Sequence, residues 1–212
     1  MPQRPQLPAA KILICEGKFD KYVIEEICRN HNIVDAFQIR EGAGLEKLLP
    51  QLSIIIRESG LTHLGIVMDT DQDLAKRWSE VRGAIQRKNS PYLLPMSLNT
   101  KGTVEIQTDQ KRIGAWLFPN NQKAGTIENF IQTLVPPQDL LWQRAEACLR
   151  SIPLQEQRFN ATDFTKAHLH TWLCWQDEPP SSIGKALKAG VLDVNVPEAL
   201  EFVQWIKTLF EL

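Results

Sequence analysis

No Cys-x-x-Cys pair occurs in this chain, whose cysteines, Cys15, Cys28, Cys148 and Cys174, are widely spaced. That spacing disfavours a zinc ribbon or a disulfide framework and predicts buried, reduced thiols. Long apolar runs are missing too: none approaches the ~20 residues that cross a bilayer, and the Pro-rich start, Met1 to Pro8, lacks the apolar centre of a signal peptide. A cytoplasmic protein without a membrane partner is expected. Net charge is nearly absent, with Lys plus Arg at 24 against Asp plus Glu at 25, so any contact with DNA or RNA must come from a local patch. Histidine is scarce, and His168 and His170, two apart on a helix, point in different directions and make a poor metal pair. There are no internal repeats and no low-complexity tract.

What is present is an alternation of two periods. "KILIC" (Lys11 to Cys15) predicts a strand, a tight turn follows at Glu16-Gly17, and "DKYVIEEICRNH" places Tyr22, Val23, Ile27 and Cys28 at helical spacing. "DAFQIRE" predicts a second strand, "GLEKLLPQLSIIIRESG" a helix kinked or started near Pro50, "LTHLGIVMD" a third strand and "QDLAKRWSEVRGAIQRK" another helix. "GTVEIQT" and "RIGAWLF" predict two further strands, antiparallel to each other. From Thr126 helices dominate: "TIENFIQTLV", "QDLLWQRAEACLRSI" after Pro136-Pro137, "DFTKAHLHTWLCWQ" capped by Asp163, and "PEALEFVQWIKTLFEL". The expected fold is α/β: a Rossmannoid, mostly parallel sheet flanked by helices over residues 1–135, with a helical C-terminal extension over 136–212 packed on that core as one structural domain. The 43% hydrophobic content is enough to bury it. Trp172, Trp175 and Trp205 lie at spacings that favour packing over base stacking.

The chemistry concentrates in "LGIVMDTDQD", where Asp69, Asp71 and Asp73 follow a strand directly. In an open parallel sheet, ligands bind beyond the carboxyl ends of the strands, where both Glu16 and Asp69 fall. On an extended chain, alternate side chains face one way, so Asp69 and Asp71 can aim at one point, where a divalent cation would offset their repulsion. Mg²⁺ (or Mn²⁺) suits two or three carboxylates from separate loops, and Asp20 lies one helical turn beyond Glu16. Rival readings fit less well. Residues Asp69 to Glu80 match an EF-hand loop at four positions, but Leu74 replaces its obligatory glycine and a strand precedes it. A haloacid-dehalogenase-type phosphatase wants a threonine where Asp73 stands, and a receiver domain wants paired acids where Glu16 stands alone. A plain acidic helix start explains Asp71 and Asp73 but neither Glu16 nor Asp69.

A glutamate-glycine pair after the first strand, "ICEGKFD", followed by Asp-x-Asp after a later one, "IVMDTDQD", resembles the Toprim domain of topoisomerases, primases and certain nucleases. The chain looks most like a small, single-domain Toprim-related family, with further segments at "GAWLFPNNQKAGTIENFI", "FTKAHLHTWLCWQDEPPSSIGKAL" and "FVQWIKTLF", nearly its whole length. The resemblance implies a catalytic and metal-binding role for Glu16 and metal binding at Asp69 and Asp71, with Asp73 an outer member. The overcoming-lysogenization-defect nucleases are similar in having an extra aspartate, here Asp20, a later glutamate, matched to Glu128, and a downstream lysine, matched to Lys166 as a catalytic residue. Glu128 reads equally well as a carboxylate near a helix start, and Lys166 as an exposed helix residue. Acids that the resemblance would place near Asn120 and Asn129 are missing, which weakens a second metal site. With only Tyr22 and Tyr92 and no separate domain, strand passage is excluded. Metal-dependent phosphodiester hydrolysis on nucleic acid is the leading expectation; a non-catalytic metal- or phosphate-binding regulatory module comes next, and nucleotidyl transfer last.

Overall fold

The computed structural model describes residues 10–87 and 89–212. The Pro-rich start and Lys88 lie outside the described residues. Five strands form one sheet: β1 (Lys11–Cys15), β2 (Gln38–Glu41), β3 (His63–Asp69), β4 (Thr103–Ile106) and β5 (Arg112–Phe118), in the order β2-β1-β3-β5-β4. All neighbours are parallel except the edge pair β4 and β5. The expected α/β, Rossmann-like class is therefore the observed one. Because β2 lies on one side of β1 and β3 on the other, connections leave β1 and β3 in opposite directions, and a crevice opens between their carboxyl ends.

The central strands are buried on both faces, and successive residues divide between two cores. Leu13, Cys15, Val67, Trp116 and Phe118 face a cluster built with α1 (Lys18–Asn30), α4 (Ile127–Thr133), α6 (Phe164–Cys174), α7 (Ile183–Lys188) and α8 (Pro197–Phe210). Ile12, Ile14, Ile66, Met68, Ala115 and Leu117 face α2 (Leu45–Ile55) and α3 (Leu74–Ile85). α5 (Leu140–Ser151) packs against α6. Within the segment expected as a helical extension, α8 covers the sheet itself: Leu209 lies where a Cβ on Gly65 or Gly114 would stand, at 2.9 and 2.8 Å from its methyl carbons.

Several local expectations are corrected. α2 already begins at Leu45 and carries Pro50 inside it, because the left-handed Gly44 (φ 92) turns the chain and its carbonyl accepts from Leu48 N–H. Asp163 makes no side-chain cap; it closes a 3-10 turn, Ala161–Asp163, that leads into α6. The six-residue α7 escapes the periodicity because it is shorter than two helical turns. Cys15 and Cys28 are buried as expected, and burial raises both thiols, that of Cys28 to about 12. Cys148 and Cys174 are exposed. Trp172 and Trp205 are core residues, whereas Trp175 is 40% exposed. His168 is buried, stacked on Trp142 and hydrogen-bonded to its carbonyl at 2.8 Å, while His170 is exposed. No helix among the described residues is long and apolar enough to cross a membrane.

Candidate functional site

Three connections meet over the crevice. The first is the turn from β1 into α1. Glu16 is half-buried there, and Gly17 lets the chain pass close to Asp20, whose Oδ2 accepts from the Gly17 N–H at 2.6 Å. A Cβ on residue 17 would stand 3.2 Å from that oxygen. The second is the turn from β3 into α3. Asp69 is the last residue of β3, Thr70 is buried, and Asp71 adopts a left-handed φ of 52°. Alternation along an extended strand therefore does not set the direction of Asp71, since the strand has ended; its Oδ2 accepts from Arg77 Nη2 at 2.6 Å. Asp73 caps α3 by accepting from Lys76 N–H at 2.9 Å.

The third connection runs from β5 to α4 and is latched onto the end of β3. The Thr70 hydroxyl accepts from Gly125 N–H at 2.7 Å and donates to the Phe118 carbonyl at 2.9 Å, while the Gly125 carbonyl receives the amides of Thr70 and Asp71. Ile127 N–H donates to Asp69 Oδ1 at 2.8 Å, which brings Glu128, the next residue, into the same electrostatic neighbourhood. Of the asparagines standing where acids would be expected, Asn120 accepts from the amides of Gln122 and Lys123, and Asn129 accepts from Thr126 N–H at 2.9 Å and donates to Thr165 at 3.2 Å.

Electrostatics bind these pieces into one site. Asp69 is raised from the ordinary carboxylate range to about 8, first by burial and then by the charges of Asp20, Glu16 and Glu128, with the Ile127 amide opposing. Glu16 is raised by burial, Asp20 and Asp71, and lowered by Arg77 and the Asp69 main chain. Asp20 is raised by burial and Glu128 against two backbone hydrogen bonds. The structure thus brings Glu16, Asp20, Asp69 and Glu128 into mutual influence, with Asp71 acting on Glu16. Asp73, exposed, serves the helix, and Lys166 lies exposed on α6 next to Thr165.

The donors suit a hard cation: all are carboxylate oxygens, and Glu16 Oε2 is buried with no hydrogen-bond partner. Yet among the described residues no group of three or more His, Cys, Asp or Glu side chains is drawn together closely enough to hold an ion. The reason is visible in the partners just described: Asp20 is held by Gly17, Asp71 by Arg77 and Asp73 by Lys76. Beside the cluster, Asp71, Lys76, Arg77, Thr126, Asn129 and Thr162 line a cleft of about 500 Å³. Sequence reasoning missed Arg77 and the Thr70 latch. A cation on the buried side of an amphipathic helix was the one available signal for Arg77; nothing in the order of residues marks Thr70, whose role depends on partners about fifty positions away.

Fold and site together define an α/β protein of Rossmann-like architecture with an acidic crevice at the strand ends. Residues 10–211 match the DUF3226 family, described as "Protein of unknown function", and the chain belongs to that family. No curated protein and no solved structure matches it.

Proposed function

We propose that this chain is a Toprim-like protein that carries out divalent-cation-dependent phosphodiester chemistry on DNA or RNA, with nuclease-type hydrolysis the favoured form. One observation carries the reading. Carboxylates from three connections, Glu16 with Asp20, Asp69, and Glu128, raise one another's proton affinity at the crevice despite Arg77 and the Ile127 amide, and Glu16 keeps a buried oxygen without a partner. Buried like charges are costly unless a cation offsets them. Mg²⁺ or Mn²⁺ would be held by Glu16 and Asp69, with Asp20, Glu128, Asp71 and the outlying Asp73 around them. When bound, the cation supplies Lewis-acid polarisation of a phosphoryl oxygen and offsets charge on the attacking and leaving groups.

The chain's own residues supply the rest. Glu16, whose proton affinity is raised by burial and by Asp20, suits a general base or acid toward water or a departing hydroxyl. Asp69 is fixed by the Ile127 amide, which spends one of its oxygens on orientation. Lys166, exposed on α6, would neutralise charge on the bound phosphate; Arg77 is the cation that already acts on Glu16.

A second reading, a non-catalytic metal- or phosphate-binding module, is favoured by a specific observation: the acidic side chains do not close on a common point, and Asn129 is committed to Thr126 and Thr165. The deciding experiment incubates the full chain with single- and double-stranded DNA and RNA in Mg²⁺ or Mn²⁺, beside Asp69→Ala. Cation-dependent cleavage lost in Asp69→Ala is expected. Cation binding without cleavage selects the module, and cleavage undiminished by the substitution removes this site from consideration.

A further inference from the structure

Arg77 projects from α3 into the cleft beside the acidic turn, and its side chain is only 7% exposed. Nη2 donates to Asp71 at 2.6 Å and Nη1 to Glu80 at 2.9 Å, but Nε is buried with no acceptor at all. An unused donor on a buried guanidinium is unfavourable, and the planar fork of nitrogens matches the paired oxygens of a phosphate. The partner in its way is the movable one: the Asp71 side chain is 56% exposed, on a left-handed turn residue, whereas Glu80 lies one helical turn from Arg77 on the same helix. Thr162 and the cation Lys76 line the same cleft.

We propose that Arg77 is the anion-binding group of this cleft, receiving a phosphate of the nucleic-acid backbone, and that Asp71 is its resting-state substitute, which the phosphate displaces. The identity of the anion rests on the phosphodiester reading above; the subsite itself rests on the guanidinium, its unused Nε and the cleft.

Inorganic phosphate is the probe, titrated calorimetrically into the full chain without divalent cations. Asp71→Asn, which weakens the competing carboxylate, tightens phosphate binding on the order of tenfold. Asp73→Asn removes the same charge from the same cleft and produces no comparable gain. The double variant Asp71→Asn/Arg77→Lys keeps a cation and most of the volume, with its fold checked by a melting curve, but it lacks the fork and returns the affinity to the wild-type level. Equal gains from Asp71→Asn and Asp73→Asn, no gain from Asp71→Asn, or a gain that survives Arg77→Lys would each overturn the assignment. Neither cation nor turnover enters this measurement, so a chain that cleaves nothing yet shows the gain and its loss keeps the Arg77 subsite while the nuclease reading falls.

Discussion

Asp69 Oδ1 accepts the main-chain N–H of Ile127 at 2.8 Å, across 58 residues of sequence. The end of the third strand is thereby tied to the first residue of α4, and Thr70 beside it is tied to Gly125 by side chain and main chain alike. One carboxylate oxygen of Asp69 is committed to architecture, and the other is the one left for a ligand. The acidic crevice is therefore a joint between distant segments, and its properties should respond to the joint as well as to the charges.

The first expectation concerns the latch. Thr70→Val keeps the shape but strands the Gly125 amide and the Phe118 carbonyl in a buried place. A loss of about 1–3 kcal/mol in urea unfolding is expected. An unchanged midpoint and slope would show that the loop is held by other contacts.

The pH dependence follows from Asp69. Its folded-state pKa of about 8 lies above its ordinary value of 3.8, so between those limits the folded protein retains a proton that the unfolded chain has released. In cation-free buffer this contribution favours the fold below about pH 4 and is lost as pH rises through about 8. Glu16 and Asp20, also raised, push in the same direction. Asp69→Asn should abolish most of the slope and raise the melting temperature at pH 8 relative to wild type. Parallel melting curves for the two proteins from pH 5 to 8 would contradict the assignment of the shift to this residue.

Divalent cation should reverse that picture. A ligand that binds only the folded state at a hundredfold excess over its Kd stabilises by about 2.7 kcal/mol. Mg²⁺ or Mn²⁺ is expected to raise the wild-type melting temperature, most at pH 8, and to leave Asp69→Asn and Glu16→Gln nearly unmoved. Calcium-free EDTA-treated protein followed by tryptophan fluorescence supplies the readout, and equal cation responses in all three proteins would place any bound ion elsewhere.

Two glycines separate backbone strain from crowding. Gly44 has φ 92 with open space around its would-be Cβ, whereas Gly102, at φ 86, would drive a Cβ into the Trp205 indole, whose Nε1 donates to the Thr103 carbonyl at 3.0 Å. Gly44→Ala is expected to cost about 1 kcal/mol and Gly102→Ala about 2–4 kcal/mol, measured by the same unfolding assay. Equal losses would mean that the indole moves aside without penalty.

How much of this was legible in the chain depends on how local the cause is. The five strands and the longer helices were readable because "KILIC" and "HLGIVM" are short apolar runs and the helices repeat their apolar positions over several turns. Glu16 and Asp69 could be placed at the sheet's carboxyl edge because each ends such a run. Asp71 was harder: the strand stops at Asp69, two residues short of where alternation would need it to run, and the left-handed turn that follows is set by hydrogen bonds to Gly125. The burial of Arg77 and the exposure of Cys148 and Cys174 depend on which faces later helices cover, and residue order does not declare that.

The last helix has a consequence in time. Lys11 Nζ donates to the Phe210 carbonyl, and Glu211 receives Arg112 at 2.6 Å and His63 at 3.3 Å, so the first, third and fifth strands are all fastened to the end of the described chain. A ribosome delivers Glu16 early and α8 late. Until residues near 210 clear the exit tunnel, the face that carries Leu13, Val67 and Trp116 has α1, α4, α6 and α7 over it but lacks α8, so part of that apolar wall stays open until late in translation.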